Sequence, residues 1–217
     1  RTLLPVRSLG HGFSPMLRDK HIGGGTPTRW KRVKPPALQV ETRPPWGPSM
    51  IVAEETADDW WEVEALLDLC FAPGREALSS YRLRDGVPPV AALCLTARDA
   101  EGTLAGAIRN WPVRIAAPRR RRWALLLGPV AVHPTHQGEG LGARLVLKVL
   151  EDAREGGWSR VLLVGDLPYY SRFGFRRLDG VLMPPPTNPE RVLGLALREG
   201  AWDGVAGPVE KALPGDD

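Results

Sequence analysis

The sequence predicts an α/β fold: a mixed, mostly antiparallel sheet with one parallel β-α-β crossover, flanked by helices. Three observations carry that expectation. "RWALLLGPVAV" (122–132) is a nearly continuous apolar run that reads as a buried strand. It leads through the glycine-rich "HQGEGLG" into a segment where Leu141, Leu145, Val149 and Ala153 recur at four-residue spacing, which is an amphipathic helix. After the terminator Gly156-Gly157 a second apolar run, "RVLLVGD" (160–166), completes the parallel unit.

The remaining elements follow in chain order. "IVAE" (51–54) is a short strand. Thr56 with Asp59 three residues on fits a capping box, and Trp60, Val63, Leu66, Leu67 and Cys70 then mark one face of a helix that Pro73-Gly74 ends. A weaker helix or loop spans Arg75 to Val87. "PVAALCLTARD" (89–99) and "TLAGAIRNWPVRIA" (103–116) read as strands joined by a tight turn at Glu101-Gly102, and a last strand lies near "RVLGLALREG" (191–200).

Charge is distributed unevenly along the 217 residues. Residues 1–49 hold nine Lys or Arg, two acids and eight prolines, a net +7, whereas the remainder is −3. The expected organisation is a basic, Pro/Gly-rich, disordered extension over 1–49 followed by one folded domain over 50–217. An organelle-targeting peptide or a nucleic-acid-binding arm are the competing readings of that extension. No stretch approaches a membrane span, and Cys70 and Cys94 sit among apolar neighbours without ligand spacing. A cytoplasmic protein with reduced thiols, no metal and no membrane partner is expected.

Glycines before a helix admit several guests. A Walker A loop is excluded, because no Lys-Ser or Lys-Thr follows the glycines. Gly138-x-Gly140-x-x-Ala143 satisfies a dinucleotide fingerprint, with Asp166 ending the next strand, but too little chain follows to complete a doubly wound sheet. Including Gln137 changes the match: Gln137-Gly138-Glu139-Gly140-Leu141-Gly142 fits (Arg/Gln)-x-x-Gly-x-(Gly/Ala), and Tyr170-Ser-Arg-Phe-Gly174-Phe175 fits Tyr-x-x-x-Gly-Phe one helix and one strand later. Together these resemble the GNAT N-acetyltransferase superfamily, its YhbS-like branch in particular, across about Met50 to Gly207.

The resemblance implies an N-acetyltransferase that moves an acetyl group from acetyl-CoA to a primary amine by direct attack in a ternary complex. The coenzyme's pyrophosphate would sit on the amides of Gln137, Gly138, Glu139, Gly140, Leu141 and Gly142. The backbone of Val130, Ala131 and Val132 would line the pantetheine arm, and Tyr170 would protonate the departing thiolate. The family's glutamate on the strand before the loop has no counterpart here, which leaves ordered water or Glu76 as base. Asp166, His133 and His136 receive no role, and Arg119 to Arg122 reads as a solvated hairpin tip. Glu76, Tyr81, Arg82, Arg109 and Trp111 are the acceptor-side candidates by position. The acceptor is a small-molecule or peptide amine, nucleic acid is not expected as a partner, and a homodimer is compatible with the family. A non-catalytic acyl-CoA-binding module is the second reading.

Overall fold

The computed structural model describes residues 50–117 and 122–213. The extension over 1–49 and the arginines Arg119, Arg120 and Arg121 lie outside the described residues. In chain order the elements are β1 (Ile51–Glu54), α1 (Trp60–Phe71), α2 (Ser79–Arg82), β2 (Leu95–Arg98), β3 (Leu104–Ile115), β4 (Arg122–Val132), α3 (Leu141–Glu155), β5 (Arg160–Val164), α4 (Leu167–Tyr170), β6 (Arg176–Arg177), β7 (Val181–Leu182), β8 (Val192–Ala196) and β9 (Gly207–Lys211).

Seven strands run in the order β1-β2-β3-β4-β5-β8-β6, each neighbour antiparallel except where β4 meets β5, and β7 and β9 join the mixed sheet off this path. The β4·β5 pair is the expected crossover, with α3 as its connection. A dinucleotide fold requires a parallel sheet with the glycine loop after its first strand. Here an antiparallel meander of four strands precedes the loop, so that alternative fails.

The periodic segments fold as their patterns require. On α3, Leu141, Leu145, Val149 and Ala153 are buried, joined by Val146 and Leu150, and they pack on Ile108, Leu125, Leu127, Val161 and Leu163. Burying such leucines and valines stabilises the domain by about 1.5–3 kcal/mol each. The opposite face carries α1, where Val63, Leu66 and Leu67 cover Leu104, Ala107 and Ala131. At the head of α1 the Asp59 carboxylate accepts from both the Thr56 N–H (2.7 Å) and its hydroxyl (2.8 Å). Trp60 departs from its expected place on the buried face: it is 46% exposed.

Three further departures have physical causes. The strand expected over 89–99 shrinks to Leu95–Arg98, because Ala91–Leu93 forms a 3-10 turn. That turn is pinned by Asn110, whose carbonyl accepts from Val90 N–H and whose Nδ2 donates to the Leu93 carbonyl. The strand expected over 191–200 is confined to Val192–Ala196. The short strands β6 and β7 were not foreseen, nor was β9, which pairs antiparallel with the far half of β3 (Val113↔Lys211) and parallel with β7. Two-residue strands carry no periodicity to read, and β9 is punctuated by Gly207-Pro208.

Cys70 and Cys94 are free thiols, the second buried, and burial pushes both up. Among the described residues no helix is long and apolar enough to cross a membrane, and no group of three His, Cys, Asp or Glu stands at metal-binding spacing.

Gly207 seats β9 with φ +135° and leaves no room for a side chain, since a Cβ there would lie 2.3 Å from the Ala116 carbonyl oxygen. Gly207→Ala should therefore cost about 2–3 kcal/mol of stability, read as a lower urea midpoint. At Gly204, φ +65° but with open space around it, the same change should cost only the left-handed strain of about 1–2 kcal/mol.

Candidate functional site

β4 has one partner along its whole length and another for only part of it. On the β3 side the register runs from Ile115↔Arg122 to Gly106↔Val132, with one extra residue inserted on β4 between Leu127 and Val130. On the other side it pairs with β5 at Leu125 and Leu126 alone. The insertion is Gly128-Pro129, joined by a cis peptide, with Gly128 at φ +107°. Proline has no N–H to give a ladder, and a bulge bends the strand that carries it. Beyond Leu126, β4 makes no further pair with β5, and Val130–Val132 have an open strand edge on that side.

Backbone direction in that opening follows from strand alternation. His133 donates its N–H to the Ala105 carbonyl on β3 (2.8 Å). Ala131, two residues back, faces β3 in the same way, while Val130 and Val132 turn their backbone groups to the open side. The Val132 carbonyl accordingly accepts from Gln137 Nε2 (3.1 Å) and Cys70 Sγ (3.3 Å), not from β3.

The glycine loop closes the top of the opening. Gly138 and Gly140 have φ +86° and +77°, conformations that residues with a Cβ rarely adopt. Arg144 N–H, paired to the Gly140 carbonyl at 3.1 Å, is the first helical donor satisfied. The N–H groups of Leu141, Gly142 and Ala143 are thus the unpaired donors of the first turn of a fifteen-residue helix. Gly142 lies beside the β4 edge: a Cβ there would meet Val132, the Tyr169 hydroxyl and Val130 at 3.4 to 3.9 Å, ordinary van der Waals contact. Leu141 itself is buried, so its contribution to the loop is its amide. The Gln137 side chain is spent on the Val132 carbonyl, and Glu139 faces His136 (3.4 Å). The set of glycines, free amides and dipole suits a pyrophosphate, and the open β4 edge suits an extended amide-bearing arm.

Tyr170 stands at the end of α4, directly beyond β5. Its ring packs edge-on to Phe175 (5.8 Å) and Tyr169 (4.9 Å), and presses so closely on Gly165 that any Cβ there would lie 2.4 Å away. Its hydroxyl makes no hydrogen bond among the described residues. Burial above all, with Tyr169 and Asp166 adding, pushes its pKa up to about 12. The phenol is a retained proton near the opening. Asp166 is exposed and 3.3 Å from Arg191, which gives it a surface role. Sequence reasoning passed over Tyr169, whose hydroxyl reaches the first turn of α3.

On the α1 face a cavity of about 1030 Å³ extends to Pro129 at the bulge. All five acceptor-side candidates, Glu76, Tyr81, Arg82, Arg109 and Trp111, line it. Two of them are structurally committed. Arg109 is clamped by Glu55 (Nη2–Oε1 2.6 Å, Nε–Oε2 2.8 Å) and by Glu64, and Trp111 Nε1 donates to the Val87 carbonyl (3.1 Å). Glu64 also meets Arg75, which binds Asp68 (2.7 Å) and donates to the Tyr81 hydroxyl (2.7 Å). Glu55, Glu64, Arg75 and Arg84 are lining residues that sequence reasoning missed. Only Glu64 left a trace, as an acid in helical register with Trp60.

Burial would raise the Glu64 carboxyl, but hydrogen bonds from Arg109 and Arg75 outweigh it and hold the group below the usual carboxylate range. A depressed pKa means stability that is present above the unfolded value and lost as pH falls toward the folded one.

Comparison with known proteins follows the same outline. Residues 52–178 match the family model described as the acetyltransferase (GNAT) domain. The chain is 34% identical over 127 residues to the uncharacterized N-acetyltransferase YhbS of Escherichia coli K12, covering 58% of this chain and 73% of the relative. The crystal structure of the GNAT-family N-acetyltransferase YhbS from Escherichia coli in complex with CoA superposes with a TM-score of 0.65 at 28% identity, over 78% of this chain and 93% of that one. A chain of the NatC complex bound to Gag peptide and CoA shares the fold (TM-score 0.51, 18% identity, 69% and 99% covered).

Glu64→Gln should lower stability at neutral pH by about 3 kcal/mol, because two buried arginines lose a shared partner. It should also flatten the fall in stability between roughly pH 5 and pH 3 that the wild type shows. Urea titrations of both proteins across that range measure the two effects.

Proposed function

The chain belongs to the GNAT acetyltransferase family, and from that premise we propose that it transfers an acetyl group from acetyl-CoA to a primary amine held in the α1-face cavity. One observation carries this reading: β4 pairs with β5 at Leu125 and Leu126 alone, which leaves the outward backbone of Val130 and Val132 without a strand partner beside the glycine loop, and Pro129 at the bulge lines the α1-face cavity. The two substrates would then approach β4 from different sides and meet at Val130. The E. coli relative crystallised with CoA supports the choice of coenzyme.

The residues fit that ligand. The amides from Gly138 to Gly142 take the pyrophosphate, and the outward backbone of Val130 and Val132 pairs with the pantetheine arm. Bound there, acetyl-CoA supplies a thioester carbonyl that the amine attacks directly, giving an amide and the free thiol. The Val130 N–H is placed to polarise the reacting carbonyl as negative charge gathers on its oxygen. Ala131, turned toward β3, does not take part.

Tyr170 acts as general acid, giving its proton to the departing sulfur. Its raised pKa keeps that proton in place through the neutral range. On the acceptor side Glu55 and Glu64 are occupied by Arg109 and Arg75, and Asp85 is bound to Lys211 (2.8 Å). Glu76 is exposed at the cavity wall and has no such pairing among the described residues, so the amine's proton leaves by way of solvent with Glu76 as the uncommitted carboxylate of the wall. Two free cysteines accord with a reducing, cytoplasmic setting.

Calorimetric titration of the full chain should give micromolar-range acetyl-CoA binding and no heat with NAD; silence with acetyl-CoA would remove the proposal. Tyr170→Phe should lower kcat by roughly 10²-fold while leaving acetyl-CoA affinity within about twofold, which a non-catalytic acyl-CoA sensor would not show. Because the phenol stays protonated, the rate should rise with pH as the amine loses its proton. It should then stay level to about pH 10, and a fall beginning near neutrality would exclude Tyr170 as the acid.

A further inference from the structure

Among the described residues the cavity's buried charges balance except at one place, while Glu76 and Arg82 lie exposed at its wall. Arg109 and Arg75 are matched by Glu55, Glu64 and Asp68, and Lys211 by Asp85. Arg84 has no ion-pair partner among the described residues, although its head is largely buried. Its guanidinium carbon lies 4.4 Å from the centre of the Tyr81 ring and 4.7 Å from that of Trp111. Nε and Nη1 are buried with no hydrogen-bond partner.

The slot that holds Arg84 is itself fixed. Tyr81 is anchored through its hydroxyl to Arg75 Nη1, and Trp111 through its indole N–H to the Val87 carbonyl. Ring faces attract a cation but leave its in-plane donors unsatisfied. Burial pulls the Arg84 pKa down to about 10; Tyr81 offsets part of that, and Arg75 and Arg109 add like-charge repulsion. The group is still a cation at neutral pH, and a buried cation without a counter-ion is costly. Arg82 lies exposed at the rim and donates to the Pro185 carbonyl (3.3 Å), whereas Arg84 is the arginine of this wall with buried donors that no carboxylate neutralises among the described residues.

We propose that Arg84 binds an oxyanion in the acceptor, and that the acceptor is a primary amine carrying a carboxylate, in the manner of an amino acid. The inference rests on the acetyltransferase reading for the amine and on Arg84 alone for the anion. A flat guanidinium edge between two aromatic rings suits a planar carboxylate. With the carboxylate held at Arg84, the amine end of such a molecule is left to reach toward Pro129.

The deciding experiment compares free amino acids with their carboxamides as acceptors for the full chain, following thiol release from acetyl-CoA. At least one amino acid should exceed its own carboxamide in kcat/KM by about tenfold or more. Arg84→Met should erase that preference by raising KM for the acid, leaving the carboxamide within about twofold, and Arg84→Lys should restore part of it. Equal turnover of acid and carboxamide, or equal loss of both in Arg84→Met, would overturn the proposal. Should no amino acid be acetylated, thermal unfolding in acetate, phosphate and chloride at matched ionic strength decides. A stabilisation specific to acetate and absent from Arg84→Met sustains the carboxylate site; one specific to phosphate, or none that depends on Arg84, overturns it. Failure to bind acetyl-CoA by calorimetry would strike the acetyltransferase reading instead, with the acetate result still judging Arg84.

Discussion

Everything at the candidate site depends on the place where β4 loses its second neighbour. A central strand in a well-formed sheet spends its N–H and C=O groups on both sides, and a ligand can do nothing with them. Here β4 carries the inserted Gly128-Pro129 and pairs with β5 no further than Leu126, and β3 alone holds the last part of the strand. The backbone of Val130 and Val132 is left facing an opening instead of a ladder. That exposure would ordinarily be a liability. It is tolerated because the opening is short, roofed by the glycine loop and bounded below by the tyrosines of α4.

The two faces of the sheet then serve different ends. The α3 face is apolar, and close packing brings the helix start near enough to β4 that a Cβ on Gly142 would meet Val130 and Val132 in van der Waals contact. The α1 face is a network of charge, in which Glu64 links Arg109 to Arg75. Buried ion pairs of this kind contribute little net stability over apolar packing, but they fix geometry strongly, since losing one member strands another. The network holds Tyr81 in place, Tyr81 and Trp111 hold Arg84, and the cavity wall is tied together by its own side chains.

Legibility in the sequence followed periodicity and local backbone demand. The four-residue spacing of Leu141, Leu145, Val149 and Ala153 and the apolar run through β4 placed the crossover correctly. The glycines announced a turn that only residues without a Cβ could make. The 3-10 turn at Ala91–Leu93 was illegible because it answers to Asn110, a residue in another strand, and β9 was illegible because its partners on β3 and β7 define it. Trp60 had the spacing of a core residue, yet its place on α1 fell at the cavity.

The sequence by itself determined the β-loop-α-β unit, the left-handed glycines of the loop and the pairing of that loop with the Tyr170 motif, because each is set by interactions within a few residues. Only the tertiary structure decided the direction of the β4 backbone, since the side of the strand that a given N–H faces depends on the register with β3. It also decided the acceptor cavity, where Glu55, Glu64, Arg75, Arg84 and Arg109 meet from distant segments. Charge pairing acts through space and leaves no period along the chain, so which arginine stays without a carboxylate could be found only after folding had matched the others.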